Sequence, residues 1–201
     1  MKKKIIITGG LGYIGTELCK LYSGVSWHHK ITVIDNRFIS ERVNQIRNWN
    51  MEFIQGDILD KDLIKKYCAG ADVVHHLAGV TTVPRTKSES SLSQDKKIKE
   101  VGEKGTQNIL EVISDKCKII FPSTHVVYEG INEVKKDIKE NDITKPVLSY
   151  STSKAINEEQ LKKSGKNYVI LRLGSVYGYS TDSMRIDIMP NLFSKIASQD
   201  G

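Results

Sequence analysis

Short β-branched runs alternate along this chain with stretches whose apolar residues recur at helical spacing. "KIIIT" (4–8), "KITVID" (30–35), "MEFIQGD" (51–57), "ADVVHHLA" (71–78), "CKIIFPST" (117–124) and "NYVILRL" (167–173) are apolar enough to predict strands buried on both faces. Between them the spacing predicts helices over 13–22, 59–68, 94–114 and 149–164, with a less regular one over 41–48. Strands and helices in alternation form a parallel sheet with right-handed crossovers, so the predicted class is α/β, a doubly wound sheet with helices on both faces. "EGINEVKKDIKENDITKP" (129–146) breaks the pattern, being polar, charged and closed by Pro146, and reads as a loop. No internal repeat or low-complexity segment interrupts the series.

With 201 residues, 39% of them hydrophobic and 27% charged, the chain has the proportions of one globular domain. The opening "MKKKIIITGG" sets a basic cluster before aliphatics, but Thr8, Gly9 and Gly10 end the apolar run too early for a secretory signal. No segment nears the roughly 20 apolar residues needed to span a bilayer, so a soluble, cytoplasmic protein with no membrane partner is expected. Cys19, Cys68 and Cys117 are widely spaced and form no C-x-x-C pair, which predicts buried thiols in a reducing compartment. No His, Cys or acidic residues show ligand spacing, so no metal is expected. The net charge of +6 is carried by lysines that alternate with acids, as in "KDLIKK" (61–66) and "KKDIKEND" (135–142). That dispersal predicts a solvated surface and no nucleic-acid partner.

Candidate chemistry begins after the first predicted strand. "TGGLGYIG" (8–15) spaces Gly9, Gly12 and Gly15 across a strand-to-helix turn, where glycine permits a tight bend and close approach of a pyrophosphate to the backbone. The helix that follows aims its first amides at the phosphates. Asp35 lies 20 residues past Gly15 at the end of the second strand. There a carboxylate accepts the ribose hydroxyls of an adenosine and repels a 2′-phosphate, favouring NAD over NADP. Arg37 nearby keeps a 2′-phosphate ligand open. "YSTSK" (150–154) places a phenol and an ammonium one helical turn apart, so that Tyr150 and Lys154 project side by side. A free phenol titrates near pH ~10, so a tyrosine acting as a base at neutral pH needs positive charge beside it. Thr124 ends the fifth strand on the carboxyl edge, where open α/β folds bind ligands. Ser123 reads as a second hydroxyl of that pocket, and His125 as facing either substrate or a loop. His75 and His76 read as packing residues.

In this order the segments resemble the extended short-chain dehydrogenase/reductases, and among them the NAD-dependent epimerase/dehydratases acting on nucleotide sugars. "TGGLGYIG" looks like that family's TGxxGxxG, "GDI" (56–58) like the strand end whose Asp contacts adenine, and "HHLAG" (75–79) like the cofactor-lining HLAA. "GTQNIL" (105–110) is similar to GTxNLL, "PSTHVVY" (122–128) to S-S/T-x-x-V-Y, "YSTSK" to Y-x-x-S-K and "LRLGSVYG" (171–178) to LRxxNVYG. The resemblance implies a Rossmann-like NAD domain over 1–174 and the beginning of a truncated substrate-binding region over 175–201. It implies Tyr150 as the catalytic acid/base, Lys154 as its partner and Thr124 as the hydroxyl holding the reacting sugar oxygen. NAD contacts are implied for Gly9, Gly12, Tyr13, Ile14, Gly15, Asp35, Asn36, Asp57, Ile58, Leu77, Ala78, Gly79, Tyr150 and Lys154. Contacts to a nucleotide sugar are implied for Thr124, His125, Ser175, Arg185 and Asn191.

The departures narrow the reaction. The family's 4,6-dehydratases carry T-D-E-V-Y and eliminate water with the two carboxylates, whereas this chain has His125 and Val126 at those places. Epimerisation or simple oxidoreduction is therefore favoured over dehydration. Gly102 stands where the family has Asn, Ser175 where an Asn contacts the substrate diphosphate, and Glu129 where it has Gly, putting a carboxylate near the sugar end of the cleft. The family's C-terminal lobe extends well past the position of Gly201, so most of the substrate lobe is expected to be absent. The apolar surface this exposes predicts self-association or poor solubility, a homodimer among the forms open to it. The alternative to an enzyme is a non-catalytic NAD-binding module, or an inactive fragment of such an enzyme.

Overall fold

The computed structural model describes residues 2–81, 86–180 and 185–199. Six strands, β1 (Lys4–Thr8), β2 (Lys30–Asp35), β3 (Glu52–Gln55), β4 (Val73–His76), β5 (Lys118–Thr124) and β6 (Asn167–Leu173), form one sheet. All neighbours are parallel and the order is β3-β2-β1-β4-β5-β6. Ile5 pairs with Ile31 on one side and Val73 on the other, so the winding reverses between β1 and β4, where doubly wound sheets open a crevice for ligand.

The helices are α1 (Tyr13–Ser23), α2 (Ser40–Asn48), α3 (Lys61–Cys68), α4 (Leu92–Lys99), α5 (Gly105–Val112), α6 (Ser149–Lys163) and α7 (Met189–Gln199). Asp60 sets the start of α3, its carboxylate accepting from the backbone of Asp62 and Leu63. Alternate residues of a strand face opposite sides, and two cores result. Ile6, Ile34, Val74 and Ile119 pack with Ile64, Ile109 and Leu161 on one face. Ile5, Ile7 and Val33 pack with Cys19, Val43 and Ile46 on the other. That is why these strands are aliphatic throughout. All three thiols are buried, as expected. Among the described residues no helix is long and apolar enough to cross a membrane.

Four expectations need correction. β6 is not buried on both faces: among the described residues it pairs only with β5, and Tyr168, Val169 and Leu171 are exposed. β3 and β4 are shorter than 51–57 and 71–78, because the chain leaves the ladder at Gly56 and Leu77 to form the carboxyl-edge loops. The helix expected over 94–114 is three pieces, with a π turn (Glu100–Lys104) joining α4 to α5. A π turn frees backbone carbonyls, and α6 satisfies them: Asn157 Nδ2 donates to Gly102 O and Gln160 Nε2 to Glu103 O, each at 3.1 Å. Finally, α7 has no counterpart in the expected helices. Residues 129–146 contain no helix or strand, as expected of a loop.

Candidate active site

The glycine loop is shaped by contacts between backbones. Gly9 takes φ +70°, in the left-handed region that favours glycine, and its N–H donates to Ile34 O at 2.7 Å. A Cβ on Gly15 would lie 2.3 Å from Gly9 O and 2.6 Å from Gly10 Cα, so α1 packs directly on the loop. A Cβ on Gly12 would meet Gly9 O at 3.2 Å and otherwise only the Arg37 guanidinium at 3.9 Å. Gly12 is the N-cap of α1 and supplies no capping side chain, so the amides of Tyr13 and Ile14 begin a helix end without a side-chain acceptor.

Asp35, 5% exposed, closes β2 beside this loop. Its Oδ2 accepts from Leu11 N at 3.0 Å and its Oδ1 from Arg37 N at 3.0 Å and Arg37 Nε at 3.3 Å. Three of roughly four acceptor positions are thus engaged within the chain. Asn36 donates to Asp57 Oδ2 at 3.0 Å, which joins the ends of β2 and β3. Ile58 is buried in the core and its carbonyl accepts from Asn108.

Leu77, Ala78 and Gly79 follow β4 at the same edge and line a cleft with Thr106, Tyr150 and Lys154. Lys154 Nζ donates to Pro122 O at 2.7 Å and lies 4.3 Å from the Phe121 ring centre and 5.9 Å from that of Tyr150. Burial lowers the Lys154 ammonium to about 8, with Glu158 acting in the opposite direction. Burial raises the Tyr150 phenol, while the positive charge of Arg185 pulls it down. His76 is fully enclosed, bonded to Thr8 Oγ1 at 2.9 Å and Thr106 Oγ1 at 3.0 Å. Burial, and then the Lys154 charge, push it down to about 3, so it stays neutral. His75 bonds the Tyr22 hydroxyl at 2.8 Å. Both histidines therefore serve packing and hydrogen bonding.

Thr124 ends β5, its Oγ1 accepting from Val126 N at 3.3 Å to open a 3₁₀ turn (His125–Tyr128). His125 is exposed, with Nδ1 3.1 Å from Leu173 O. It lines a second, wider cleft with Val126, Tyr128 and Arg172. Ser123 does not join Thr124 on one face. As the preceding strand residue it faces the other way and donates to Glu158 Oε1 at 2.5 Å. Glu129, which also lines that wider cleft, turns one oxygen inward: its Oε1 accepts from the backbone of Val147 and Leu148 at the start of α6.

Beyond β6, Ser175 is exposed. Arg185 pairs with Asp187 at 2.5 Å, and its Nη1 reaches Thr81 O at 3.5 Å. Asn191 is 6% exposed and engaged within the chain, accepting from Gly178 N at 3.0 Å and donating to Arg185 O at 2.8 Å and the Tyr13 hydroxyl at 3.4 Å. This staple ties the segment after β6 to the glycine loop. Sequence reasoning missed the buried Glu158, which accepts from Arg172 Nη2 at 2.6 Å and Nε at 2.9 Å. Burial works against its charge, but the bonds from Arg172 and Ser123 outweigh that and hold its carboxyl below the ordinary range.

The strand order, the glycine loop after β1 and the Tyr–Lys pair on the helix before β6 define a Rossmann-like domain of the short-chain dehydrogenase/reductase type. The chain belongs to the NAD-dependent epimerase/dehydratase family, whose description matches residues 5–200. It is 31% identical over 172 residues to a UDP-glucose 4-epimerase of Neisseria meningitidis serogroup C, covering 79% of this chain and 47% of that protein. It is 29% identical over 197 residues to the dTDP-D-glucose 4,6-dehydratase of Dictyostelium discoideum, covering 88% and 44%. This chain thus spans about half the length of these curated relatives. Among solved structures, UDP-glucuronic acid 4-epimerase from Bacillus cereus, in complex with UDP-glucuronic acid and NAD, superposes with a TM-score of 0.76 at 28% identity. That match covers 100% of this chain and 64% of the other.

Proposed function

We propose that this chain forms the cofactor-binding and catalytic part of an NAD-dependent nucleotide-sugar epimerase or a closely related oxidoreductase. Residues 1–174 would hold the cofactor, and the segment from 175 onward would begin the substrate-binding region. The strongest support is the Tyr150–Lys154 pair, set in a cleft at the carboxyl edge beside a glycine loop. The residues fit a dinucleotide: Gly12 brings bare backbone to the loop, where a Cβ would press on Gly9 O, the amides of Tyr13 and Ile14 lack a side-chain cap, and Asp35 stands at the loop. Leu77, Ala78 and Gly79 would wall the inner end of the cleft.

Thr124 would hold the reacting sugar hydroxyl while Tyr150 takes its proton. NAD, when bound, would supply hydride-accepting and hydride-donating chemistry at the carbon that bears this hydroxyl. Tyr150 then gives the proton back to the alkoxide oxygen. Because burial raises this phenol, the Tyr150 base depends on nearby positive charge, from Lys154 and Arg185 among the residues of this chain. Epimerisation is favoured over dehydration because His125 and Val126 provide no pair of carboxylates for eliminating water. Arg185 and Ser175 would face the nucleotide diphosphate.

The test incubates the protein with NAD and a panel of nucleotide sugars, following absorbance near ~340 nm and product stereochemistry. Tyr150→Phe should cut turnover by about 10²-fold or more while NAD affinity stays within about threefold. Unchanged turnover in that variant overturns the acid/base role. NAD binding with no altered sugar supports the non-catalytic module instead.

A further inference from the structure

Helix α6 begins without a cap of its own, since Leu148 is the N-cap residue and makes no side-chain bond to the helix. A carboxylate from a distant part of the chain holds the approach to the helix instead. Glu129 Oε1 accepts from Val147 N at 2.8 Å, from Leu148 N at 2.7 Å and from the hydroxyl of Ser151, which is fully buried. Glu129 directly follows the 3₁₀ turn that Thr124 opens, while Tyr150 is the second residue of α6. One side chain therefore joins the Thr124 segment to the entrance of the helix carrying Tyr150.

The backbones alongside are in direct contact. Gly130 N donates to Lys145 O and Lys145 N to Val127 O, each at 2.8 Å, and a Cβ on Gly130 would come within 2.6 Å of Lys145 O. Burial works against the Glu129 charge, and the bonds from Ser151, Leu148 and Val147 outweigh it, holding the carboxyl below its ordinary range.

We propose that Glu129 is a positioning residue, which fixes Tyr150 relative to Thr124 by accepting three bonds at the positive end of α6. The role rests on Tyr150 being the acid/base. A carboxylate there serves two purposes at once: it takes the amide of the N-cap residue Leu148 together with that of Val147 before it, and it opposes the helix dipole. Neither purpose requires contact with substrate, so the effect of removing it should fall on the chemical step and not on binding.

The test compares Glu129→Ala, Glu129→Gln and Tyr150→Phe. In Glu129→Ala, amide exchange over 147–153 should quicken about tenfold, as for a lost helix cap. Turnover should fall about tenfold or more through misplacement of the phenol, with sugar KM and NAD affinity held within about threefold. Glu129→Gln keeps an acceptor oxygen at the same reach and should recover turnover to within about threefold of the parent. Unchanged turnover in Glu129→Ala, or a loss that Glu129→Gln fails to relieve, overturns the positioning role. Parental turnover in Tyr150→Phe overturns the acid/base reading instead, whatever Glu129 does. If the parent turns over no sugar, or Glu129→Ala does not fold, Glu129→Asp decides by exchange. Its shorter carboxylate should loosen 147–153 relative to Glu129→Gln, and equal protection in the two overturns the proposal.

Discussion

The glycine loop and helix α6 meet at the same edge of the sheet but are held there by different means. In the loop, backbone rests on backbone: Gly9 N on Ile34 O, Gly12 N on Gly9 O, and α1 pressed against Gly9 and Gly10 where Gly15 has no side chain. In α6, side chains reach across the chain, Asn157 and Gln160 to the π turn, Glu158 to Arg172 and Ser123, and Ser151 to Glu129. The loop needs one residue type at fixed local spacing. The helix needs partners whose separation along the chain carries no regularity.

Breaking the α6 contacts should give the largest effect. Arg172→Ala leaves the Glu158 side chain, 2% exposed, without its bidentate cation. Removing one member of such a buried pair costs about 3–5 kcal/mol, which for a chain of this size lowers Tm on the order of 10 °C. Urea denaturation measures it, and a loss below about 1 kcal/mol would show that α6 does not depend on this pair.

Next in size is a contrast within the loop. Gly15→Ala drives a methyl into immobile backbone, at a cost of about 2–3 kcal/mol, and should abolish NAD binding. Gly12→Ala presses only on Gly9 O, at 3.2 Å, and should cost about 1 kcal/mol or less while weakening NAD about tenfold or more, because the methyl occupies the face where a pyrophosphate must approach. Thermal melts and NAD titration of the two variants separate the effects. Equal destabilisation would make both glycines structural and remove the distinction between packing and approach.

This difference in means explains what was legible. The loop could be read because "TGGLGYIG" and Asp35 lie within one strand-helix-strand unit, and β1, β2 and β6 have the expected bounds. The exposure of β6 could not be read, since an aliphatic run looks the same in a central strand as at an edge. Glu129 was visible as an acid near the cleft, but nothing local points to Val147, 18 positions on. Ser123 is different. Strand periodicity alone turns it to the face opposite Thr124, so that signal was present. Asn191 was placed near the nucleotide, and its engagement with Tyr13 and Gly178 depends on a fold-back that no local pattern encodes.

A third contrast concerns charge on α6, and it is read as a slope against pH. Burial lowers the Lys154 ammonium from 10.5 to about 8. Below about pH 8 the folded and unfolded chains both carry this proton, and the cost of burying the charge is fully present. Between about 8 and 10.5 the unfolded chain keeps a proton the folded chain has released, so Lys154 makes stability rise with pH. The buried thiols act oppositely in an overlapping range: Cys19 and Cys68 are raised from 9.0 to about 12, so the folded chain keeps protons the unfolded chain loses and stability falls. A denaturation curve of the parent alone mixes both trends. Lys154→Met retains the thiols and removes the ammonium, so the difference between the two proteins isolates the lysine. Relative to that variant, the parent should gain up to about 1.4 kcal/mol per pH unit through the window. A flat difference would mean that the site does not penalise the ammonium. Lys154 would then keep its proton up to the ordinary lysine range, and its ammonium would stand beside Arg185 as a second charge supporting the Tyr150 base.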